Sequence, residues 1–177
     1  MRCAGRDLLA SLFLLPFIFG RVSMGKDIKV LGCSLKGDRL YRVEPHRMLF
    51  QWVKEESDGV YSVGMASLLA ALSYPLYSIR VKPVGTKLSF DDNLATVEAG
   101  KRIATFPTPL SGEVLEINRE VLKEPELINR KPYTYWIAKI RATNPRELKD
   151  LKRAEEVAEV VKEVIIREDI DCSKVEE

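Results

Sequence analysis

The sequence predicts a mainly β domain with one short inserted helix and one long C-terminal helix. Short segments of alternating or β-branched apolar residues are separated by turns rich in Gly, Pro, Asp and Ser, as in barrels and sandwiches. No long helical crossover lies between these segments, although a parallel sheet would need one. With 177 residues, 46% of them hydrophobic, the chain suits one domain with extensions and can bury a core.

The first predicted strands follow one another closely. IKVLGC (28–33) is apolar and β-branched, and RLYRVE (39–44) alternates. MLFQWVKEE (48–56) and VYSVGM (60–65) flank Ser57-Asp58-Gly59, which is a typical hairpin turn. This part of the chain therefore predicts an antiparallel meander.

One short helix interrupts the strands. ASLLAAL (66–72) is rich in Ala and Leu and has no β-branched residue, which favours a helix. Tyr74-Pro75 ends this helix, because a proline disfavours the helical conformation in the residue before it. Two strands are predicted next, in LYSIRVKPVG (76–85) and TKLSF (86–90).

The second half of the predicted β domain begins with a hairpin. LATVEAG (94–100) and KRIATFPTP (101–109) read as strands on either side of Lys101. A further strand is predicted in LSGEVLEIN (110–118) and the last one in YTYWIAKIRA (133–142). Between them lie one or two helical turns, which cover residues 119–129 and are broken by Pro125.

The C-terminal part changes to a helical pattern. Asn144 is a good cap, Pro145 suits the first helical position, and Glu147 completes a capping pattern. Apolar residues then recur at three- and four-residue spacing and form one face of an amphipathic helix: Leu148, Leu151, Ala154, Val157, Ala158, Val161, Val164 and Ile165. This face either packs on the β domain or docks a partner. The polar tail after Asp169 is predicted to be frayed.

The first 23 residues have two interpretations. An apolar run from Leu8 to Phe19 follows basic residues; it is short for a membrane span and resembles the core of a signal peptide. No clear small-residue cleavage site follows it, which favours a true translation start at Met24. The predicted organisation is a segment 1–23 (signal-like or upstream of the start), a β domain at 24–142 and a helical extension at 143–177.

Composition excludes several classes of function. The formal net charge is +2 and no basic stripe is visible, which argues against nucleic acid as the main partner. Cys3, Cys33 and Cys172 form no C-x-x-C pair, so we expect free thiols in a reducing cytoplasm. The single histidine, His46, leaves little room for a His-based metal site or a Ser-His-Asp enzyme. No catalytic centre, metal site or membrane association is expected.

Lys101 is the candidate functional residue. A lysine at a tight β-turn is exposed, and its free amine is charged and hydrated, hence a poor nucleophile without burial. Nothing apolar nearby in sequence would activate this amine. Such a lysine is better suited to being modified than to acting as a catalytic nucleophile, since acylation removes its charge and can attach a long arm.

An ordered series of motifs surrounds Lys101: VEAGK is followed by TPLSGEVLEIN, EPELIN and KPYTYW. In its order, and in its spacing from the lysine to the Ser-Gly turn, this series resembles the H protein of the glycine cleavage system. Upstream, WVKEESDGVYSVGM and VKPVG also resemble family segments. The resemblance covers residues 39 to 142 and is most specific from Lys101 to Asn129.

The resemblance implies a lipoyl-type barrel-sandwich hybrid fold and covalent lipoate on Lys101. Glu98 matches the acidic residue that lipoylating enzymes read, and Gly112 matches a turn glycine that shapes the same surface. From the residues alone, Glu98 is alternatively a solvated strand residue, and Gly112 is alternatively a glycine needed for positive φ. Lys101 is alternatively an unmodified surface lysine.

A member of this family is a cytoplasmic, non-catalytic carrier whose swinging arm takes an aminomethyl group between partner enzymes. The implied partners are glycine decarboxylase (a pyridoxal-phosphate enzyme), an aminomethyltransferase and dihydrolipoyl dehydrogenase. Lipoate–protein ligase or lipoyl synthase would load the arm. The cofactor and the partner enzymes would supply the chemistry.

Several positions depart from the family pattern. Gly100 replaces an aliphatic residue, Arg102 replaces a small one, SYP (73–75) replaces L-G-D, and RMLFQ separates His46 from Trp52. Because these positions are expected to form the pocket that shelters the loaded arm, a neighbouring branch is the alternative. EAGKR resembles the lipoate-binding proteins associated with heterodisulfide-reductase-like complexes in sulfur oxidation, where the dithiol would carry sulfur.

Two other classes of protein are alternatives. An unmodified binding scaffold would use the C-terminal helix to dock a partner and would leave Lys101 unmodified. A biotin carrier would have methionines beside the lysine, whereas Gly100 and Arg102 flank it here.

Overall fold

The computed structural model describes residues 25–177, so the predicted N-terminal segment 1–23 lies outside the described residues. The predicted fold class is confirmed: the described chain is mainly β, with a short inserted helix and a C-terminal helix. The strands are β1 Ile28–Val30, β2 Cys33–Leu35, β3 Leu40–Glu44, β4 Leu49–Ser57, β5 Val60–Met65, β6 Leu76–Val81, β7 Lys87–Leu88, β8 Asn93–Ala99, β9 Arg102–Pro107, β10 Gly112–Ile117 and β11 Ala138–Ala142. The α-helices are α1 Ser67–Leu72, α2 Arg119–Lys123, α3 Glu126–Arg130 and α4 Ala154–Glu168.

Two antiparallel sheets face each other across the main core. One has six strands in the order β3-β4-β5-β11-β10-β7, and the other has three in the order β6-β8-β9. Buried residues of both sheets belong to one cluster, for example Ile79 and Val97 from the small sheet and Val63, Val114 and Ile140 from the large one. This arrangement leaves the β8–β9 hairpin at the end of the small sheet.

The amphipathic helix α4 packs on the β domain, which is one of the two predicted alternatives. Val157, Val161 and Val164 are buried in a second cluster with Tyr41 and Trp52. The burial of this apolar face stabilises α4, whose polar residues alone would not keep it helical.

The start of this helix was predicted wrongly. Residues Pro145–Asp150 form a 3-10 helix, and α4 begins only at Ala154. Between them, Lys152 exchanges backbone hydrogen bonds with Tyr41 (N···O distances of 2.7 and 2.9 Å), which holds residue 152 in an extended conformation. The Asn144 side chain caps no backbone N–H.

The tail after Asp169 is docked rather than frayed. The backbone N–H of Glu176 donates to the Arg130 carbonyl at 2.7 Å. The side-chain carboxylate of Glu177 accepts hydrogen bonds from the backbone N–H groups of Tyr133 (2.9 Å) and Thr134 (3.0 Å). The tail is therefore tied to the segment that follows α3.

A disulfide anchors this tail and corrects the prediction of free thiols. Cys33 and Cys172 are bonded, with a Cα–Cα distance of 5.2 Å that is usual for disulfides. Both residues are buried. Cys3 lies outside the described residues. Sequence could not pair two cysteines that are 139 positions apart.

Several predicted strands, among them the first and the last, were too long. The segment 28–33 is a hairpin, in which Leu31 and Gly32 have φ of 47° and 88° and Val30 pairs with Cys33. Only Gly32 signals this turn. The last strand begins at Ala138 rather than at Tyr133, because residues 132–134 form a turn and Tyr135 lies in a bend.

No helix within residues 25–177 is long and apolar enough to cross a membrane.

Candidate functional site

The candidate site is the hairpin between β8 and β9. Ala99 pairs with Arg102, so the loop contains only Gly100 and Lys101. Positive φ falls on Gly100 (58°) and not on Lys101, the pattern of a type II′ turn, which favours glycine at its first central position. The Gly100 N–H also donates to the Pro75 carbonyl at 3.3 Å. These constraints fix the base of the Lys101 side chain.

Lys101 is exposed, as the sequence predicted. Its amine projects from the turn of a hairpin whose two strands are both held in the small sheet. The position is suited to modification by another protein rather than to catalysis, which requires a nearby group to activate the amine.

Glu98 lies three residues before Lys101 and is half-buried. Its carboxylate accepts a hydrogen bond from the Ser78 hydroxyl at 3.3 Å, and Glu98 pairs across the hairpin with Ile103. The carboxylate is thus oriented within the small sheet rather than freely solvated.

Gly112 lies in the large sheet, at the start of β10, and its φ is not positive. The interpretation that Gly112 supplies positive φ is therefore wrong. A Cβ at this position would overlap the carbonyl oxygen of Arg141 and lie 2.6 Å from Cγ2 of Ile140. Gly112 is required because β11 approaches closely, which sequence alone could not distinguish from a turn.

A cleft of about 210 Å³ lies beside the hairpin. It is lined mainly by apolar side chains from β8, β9, α1, the end of β5 and residues 47–49 at the start of β4. The lining residues are Arg47, Met48, Leu49, Met65, Leu69, Leu72, Ser73, Val97, Ala99, Arg102, Ala104, Thr105 and Phe106. Because the inner side of the hairpin forms one wall, an arm on Lys101 can fold back into this cleft.

Some of the positions that depart from the family pattern do line this cleft. Ser73 belongs to the SYP segment, and Met48 and Leu49 belong to RMLFQ. His46 and Trp52, which were expected at the pocket, are not among the lining residues. The Trp52 indole is buried and donates to the Pro132 carbonyl at 3.0 Å.

The charged groups at the cleft are two arginines. Arg47 is neutralised by Glu44 (2.9 Å) and Asp91 (3.0 Å). Burial acts to raise the pKa of both carboxyls, but hydrogen bonds from Arg42 and Arg47 outweigh it and lower both pKa values. Within residues 25–177, no carboxylate lies within ion-pair distance of Arg102, and none lines the cleft.

The cleft wall depends on a buried amide that sequence reasoning had not assigned. Asn129 in α3 accepts a hydrogen bond from the Leu76 N–H (2.9 Å) and donates to the Ala70 carbonyl (2.7 Å). It thereby joins α1, which lines the cleft, to β6, which supports the hairpin. In the sequence, the position of Asn129 at the end of the EPELIN motif was the signal that could have identified it.

The fold and the hairpin define a class of protein. An exposed lysine on a two-residue turn, beside a mainly apolar cleft, is the arrangement expected of a carrier domain that presents a covalently attached group. The residues fit lipoate, since Lys101 offers an amine for amide attachment and the neighbouring cleft is mainly apolar.

Comparison with known proteins identifies the family. The model of the family "Glycine cleavage H-protein" matches residues 40–164. The chain is 69% identical to glycine cleavage system H protein 1 of Aquifex aeolicus (strain VF5) over 140 residues, covering 79% of this chain and 98% of the relative. It is 38% identical to H protein 5 of the same strain over 146 residues, covering 81% and 98%.

A solved structure agrees with this assignment. The crystal structure of a glycine cleavage system H protein from Mycobacterium marinum has a TM-score of 0.61 and 25% identity, and the match covers 71% of this chain and 98% of that one. The chain belongs to the glycine cleavage H-protein family, whose members are non-catalytic lipoyl carriers.

Proposed function

We propose that this carrier holds lipoate as an amide on Lys101 and serves the glycine cleavage system. The observation that supports this is the exposed Lys101 on a turn that pairs Ala99 with Arg102, next to a mainly apolar cleft. In attachment, the Lys101 amine loses a proton and forms an amide with the lipoyl carbonyl. When lipoate is activated as an adenylate, AMP is the leaving group.

The other two predicted residues have separate roles in this proposal. Glu98 is read by the lipoylating enzyme, lipoate–protein ligase or lipoyl synthase; its hydrogen bond to Ser78 supports a fixed orientation. Gly112 keeps β10 against β11 and acts on the site only through the fold.

The proposed partners are those of the glycine cleavage system, in the cytoplasm. Glycine decarboxylase would load the arm, an aminomethyltransferase would unload it, and dihydrolipoyl dehydrogenase would reoxidise it. When bound, lipoate supplies a dithiol that accepts the cargo. The protein's own contribution is to fix the arm's base at Lys101 and to offer the cleft as shelter.

The charge of the cleft favours a second candidate cargo. A protonated amine would face Arg102 with no carboxylate among the lining residues, whereas an anionic group would be attracted. This supports a sulfur carrier for a heterodisulfide-reductase-like complex as the second function. The arginine is exposed, so the preference is modest and depends on salt.

Mass spectrometry of the protein purified from its native cells tests both the attachment of lipoate to Lys101 and the identity of the cargo. A lipoyl increment on the peptide that contains Lys101 is expected. The increment should disappear in Lys101→Arg and persist in the control Lys87→Arg, at another exposed lysine. An unmodified Lys101 in lipoate-replete cells would leave the binding scaffold as the function.

The same spectra separate the two cargoes. Without reduction, additional sulfur on the arm would support the sulfur carrier. An arm that carries only a one-carbon amine when glycine and glycine decarboxylase are supplied would support the glycine cleavage system.

A further inference from the structure

We propose that the Cys33–Cys172 disulfide is a redox switch that controls the C-terminal tail, residues 170–177. While the bond is intact, the tail is fixed against α1. When a dithiol reduces the bond, the docked state remains the average structure, but the tail opens locally far more often. Because α1 lines the cleft, the redox state of this cysteine pair sets how firmly one wall of the cleft is supported.

The tail depends on the disulfide for its attachment to the rest of the protein. Cys172 is the only buried residue of the tail; Ile170, Val175 and Glu177 are half-buried, and the others are exposed. A segment that buries so little apolar surface gains little from packing, whereas holding it in place costs the conformational entropy of each of its residues. The covalent bond therefore supplies the main restraint.

The non-covalent contacts that hold the end of the tail lie near the surface. Glu176 donates its backbone N–H to the Arg130 carbonyl at 2.7 Å, and its carboxylate lies 3.7 Å from the Lys131 amine. The Glu177 carboxylate accepts the two backbone hydrogen bonds described above. Exposed ion pairs contribute little to stability, and segments held by exposed hydrogen bonds open locally at low free-energy cost. Without the disulfide, these contacts allow frequent opening of the tail.

The disulfide lies beneath a thin cover. On one side is the tip of the β1–β2 hairpin, where Leu31 is 56% exposed and a Cβ on Gly32 would lie 3.9 Å from Cβ of Cys172. On the other side, Asp171 and Ser173 of the tail are exposed. A reductant therefore needs only a local movement of the hairpin tip or the tail to reach the sulfurs, and no unfolding of the core.

The tail runs along α1, which also lines the cleft. Sγ of Cys172 lies 4.0 Å from the Ser67 carbonyl oxygen at the start of α1, and the Lys174 amine lies 4.1 Å from the centre of the Tyr74 ring just beyond its end. A groove of about 270 Å³ beside the tail shares the Leu72 side chain with the cleft. Opening of the tail therefore removes a contact from the cleft wall.

Reduction by a dithiol takes two exchange steps. A thiolate of the dithiol attacks one sulfur of the disulfide, which forms a mixed disulfide and releases the other cysteine as a thiolate. The second thiol group then displaces the remaining cysteine and closes an intramolecular disulfide. The dithiol thus loses two electrons and two protons, and both cysteines become thiols.

A dithiol is favoured over a monothiol at this confined position. A monothiol needs a second molecule to resolve the mixed disulfide, whereas the second thiol of a dithiol is already in place. The reduced lipoyl arm of the proposed function belongs to this class, and this link alone rests on that function.

Thiol counting on the native, unmodified full chain tests the chemical step. Dihydrolipoamide is added well below the thermal transition of the reduced protein, and cysteine alkylation followed by intact mass counts the thiols. Cys33 and Cys172 should become reactive about tenfold faster or more than with glutathione at the same thiol concentration. If they become reactive only in denaturant, the bond is purely structural and the proposal is overturned. Equal rates with both reductants would overturn the preference for a dithiol.

Hydrogen exchange of the oxidised and reduced chains tests the release of the tail. The Glu176 amide should exchange about tenfold faster or more after reduction. The Ser73 amide, which donates to the Leu69 carbonyl at the end of α1, should exchange at least about twofold faster. Amides of β5 and β11 should stay protected over the same minutes. Equal exchange of the tail in both redox states contradicts the switch, as does loss of protection in β5 and β11, because reduction then loosens the whole fold. An unchanged Ser73 amide would rule out the effect on the cleft wall.

The double variant Cys33→Ser/Cys172→Ser is the matched control. It retains Cys3, so its tail should exchange as in the reduced wild type and should not respond to dihydrolipoamide. A response in this variant would assign the effect to Cys3 and overturn the proposal. The chain in these experiments carries no arm, so the switch and the proposed lipoylation of Lys101 can fail independently of each other.

Discussion

Reduction of the Cys33–Cys172 disulfide should lower stability strongly. The bond closes a loop of 139 residues, and the chain-entropy relation for a loop of this length gives about 5 kcal/mol at 25 °C. For a chain of this size each kcal/mol corresponds to about 2–4 °C, so the thermal midpoint should fall by about 10–20 °C. Both sulfurs stay in a buried environment after reduction, so the loss arises from the unfolded chain rather than from lost packing.

Differential scanning calorimetry of the oxidised protein, of the reduced protein and of the Cys33→Ser/Cys172→Ser double variant measures this effect. Thiol counting in denaturant provides the control, since the unreduced protein should show two thiols fewer than the reduced one. The reasoning is refuted if the thiol count confirms the bond in solution and yet oxidised and reduced protein unfold within 2 °C of each other. An equal thiol count would show that the bond does not form.

Three further outcomes are expected. Gly112→Ala should destabilise the fold by about 1–3 kcal/mol, because its Cβ would overlap the Arg141 carbonyl, and chemical denaturation would contradict this if the midpoint did not move. Asn129→Ala should cost roughly 2–4 kcal/mol in the same assay, since two buried backbone groups lose their partner. Asp91→Asn should cost roughly 1–2 kcal/mol at pH 7 by depriving buried Arg42 of a carboxylate. Because the folded-state pKa of Asp91 is lowered, this contribution is present above the ordinary carboxyl pKa and is lost as pH falls through the folded value, so the stability difference between wild type and variant should shrink steadily as pH falls below about 4. A difference that stays constant as pH falls below about 4 would show that charge is not the cause.

Sequence patterns correctly predicted the elements that are determined by residues close together in the chain. The hairpin at Ser57-Asp58-Gly59 follows from turn chemistry between two apolar strands, and β5 has the predicted bounds. Lys101 was placed on its turn because Gly100 precedes it between two strand patterns. The burial of α4 follows from the apolar spacing along that helix.

Long-range contacts decided the elements that were predicted wrongly. The amphipathic pattern from Leu148 onward gave no sign that Lys152 pairs with Tyr41 and delays α4 to Ala154. The disulfide joins positions too distant for any spacing rule. Leu31 adopts positive φ, which no propensity of leucine predicts.

In the candidate site, too, features set by nearby residues were predicted and features set by long-range contacts were not. Residues near Lys101 in sequence could be named in advance, but the cleft could not, because its walls also come from segments that are distant from Lys101 in sequence. Gly112 was singled out by the family resemblance, and the alternative that it supplies positive φ was wrong. The role of Asn129 emerged only when α1 and β6 were seen on either side of its amide.

The two-residue turn also determines how the carrier is shared. In the proposed function, with the arm attached to Lys101, every enzyme would act on the same arm, whose base is held by the Ala99–Arg102 pair and the hydrogen bond from Gly100 to the Pro75 carbonyl. Two enzymes cannot act on one arm at the same time, so the carrier would be a diffusible substrate for which its partner enzymes compete. An excess of an inactive partner should therefore slow the others by competition, and the throughput of the system should depend on how quickly each enzyme releases the carrier.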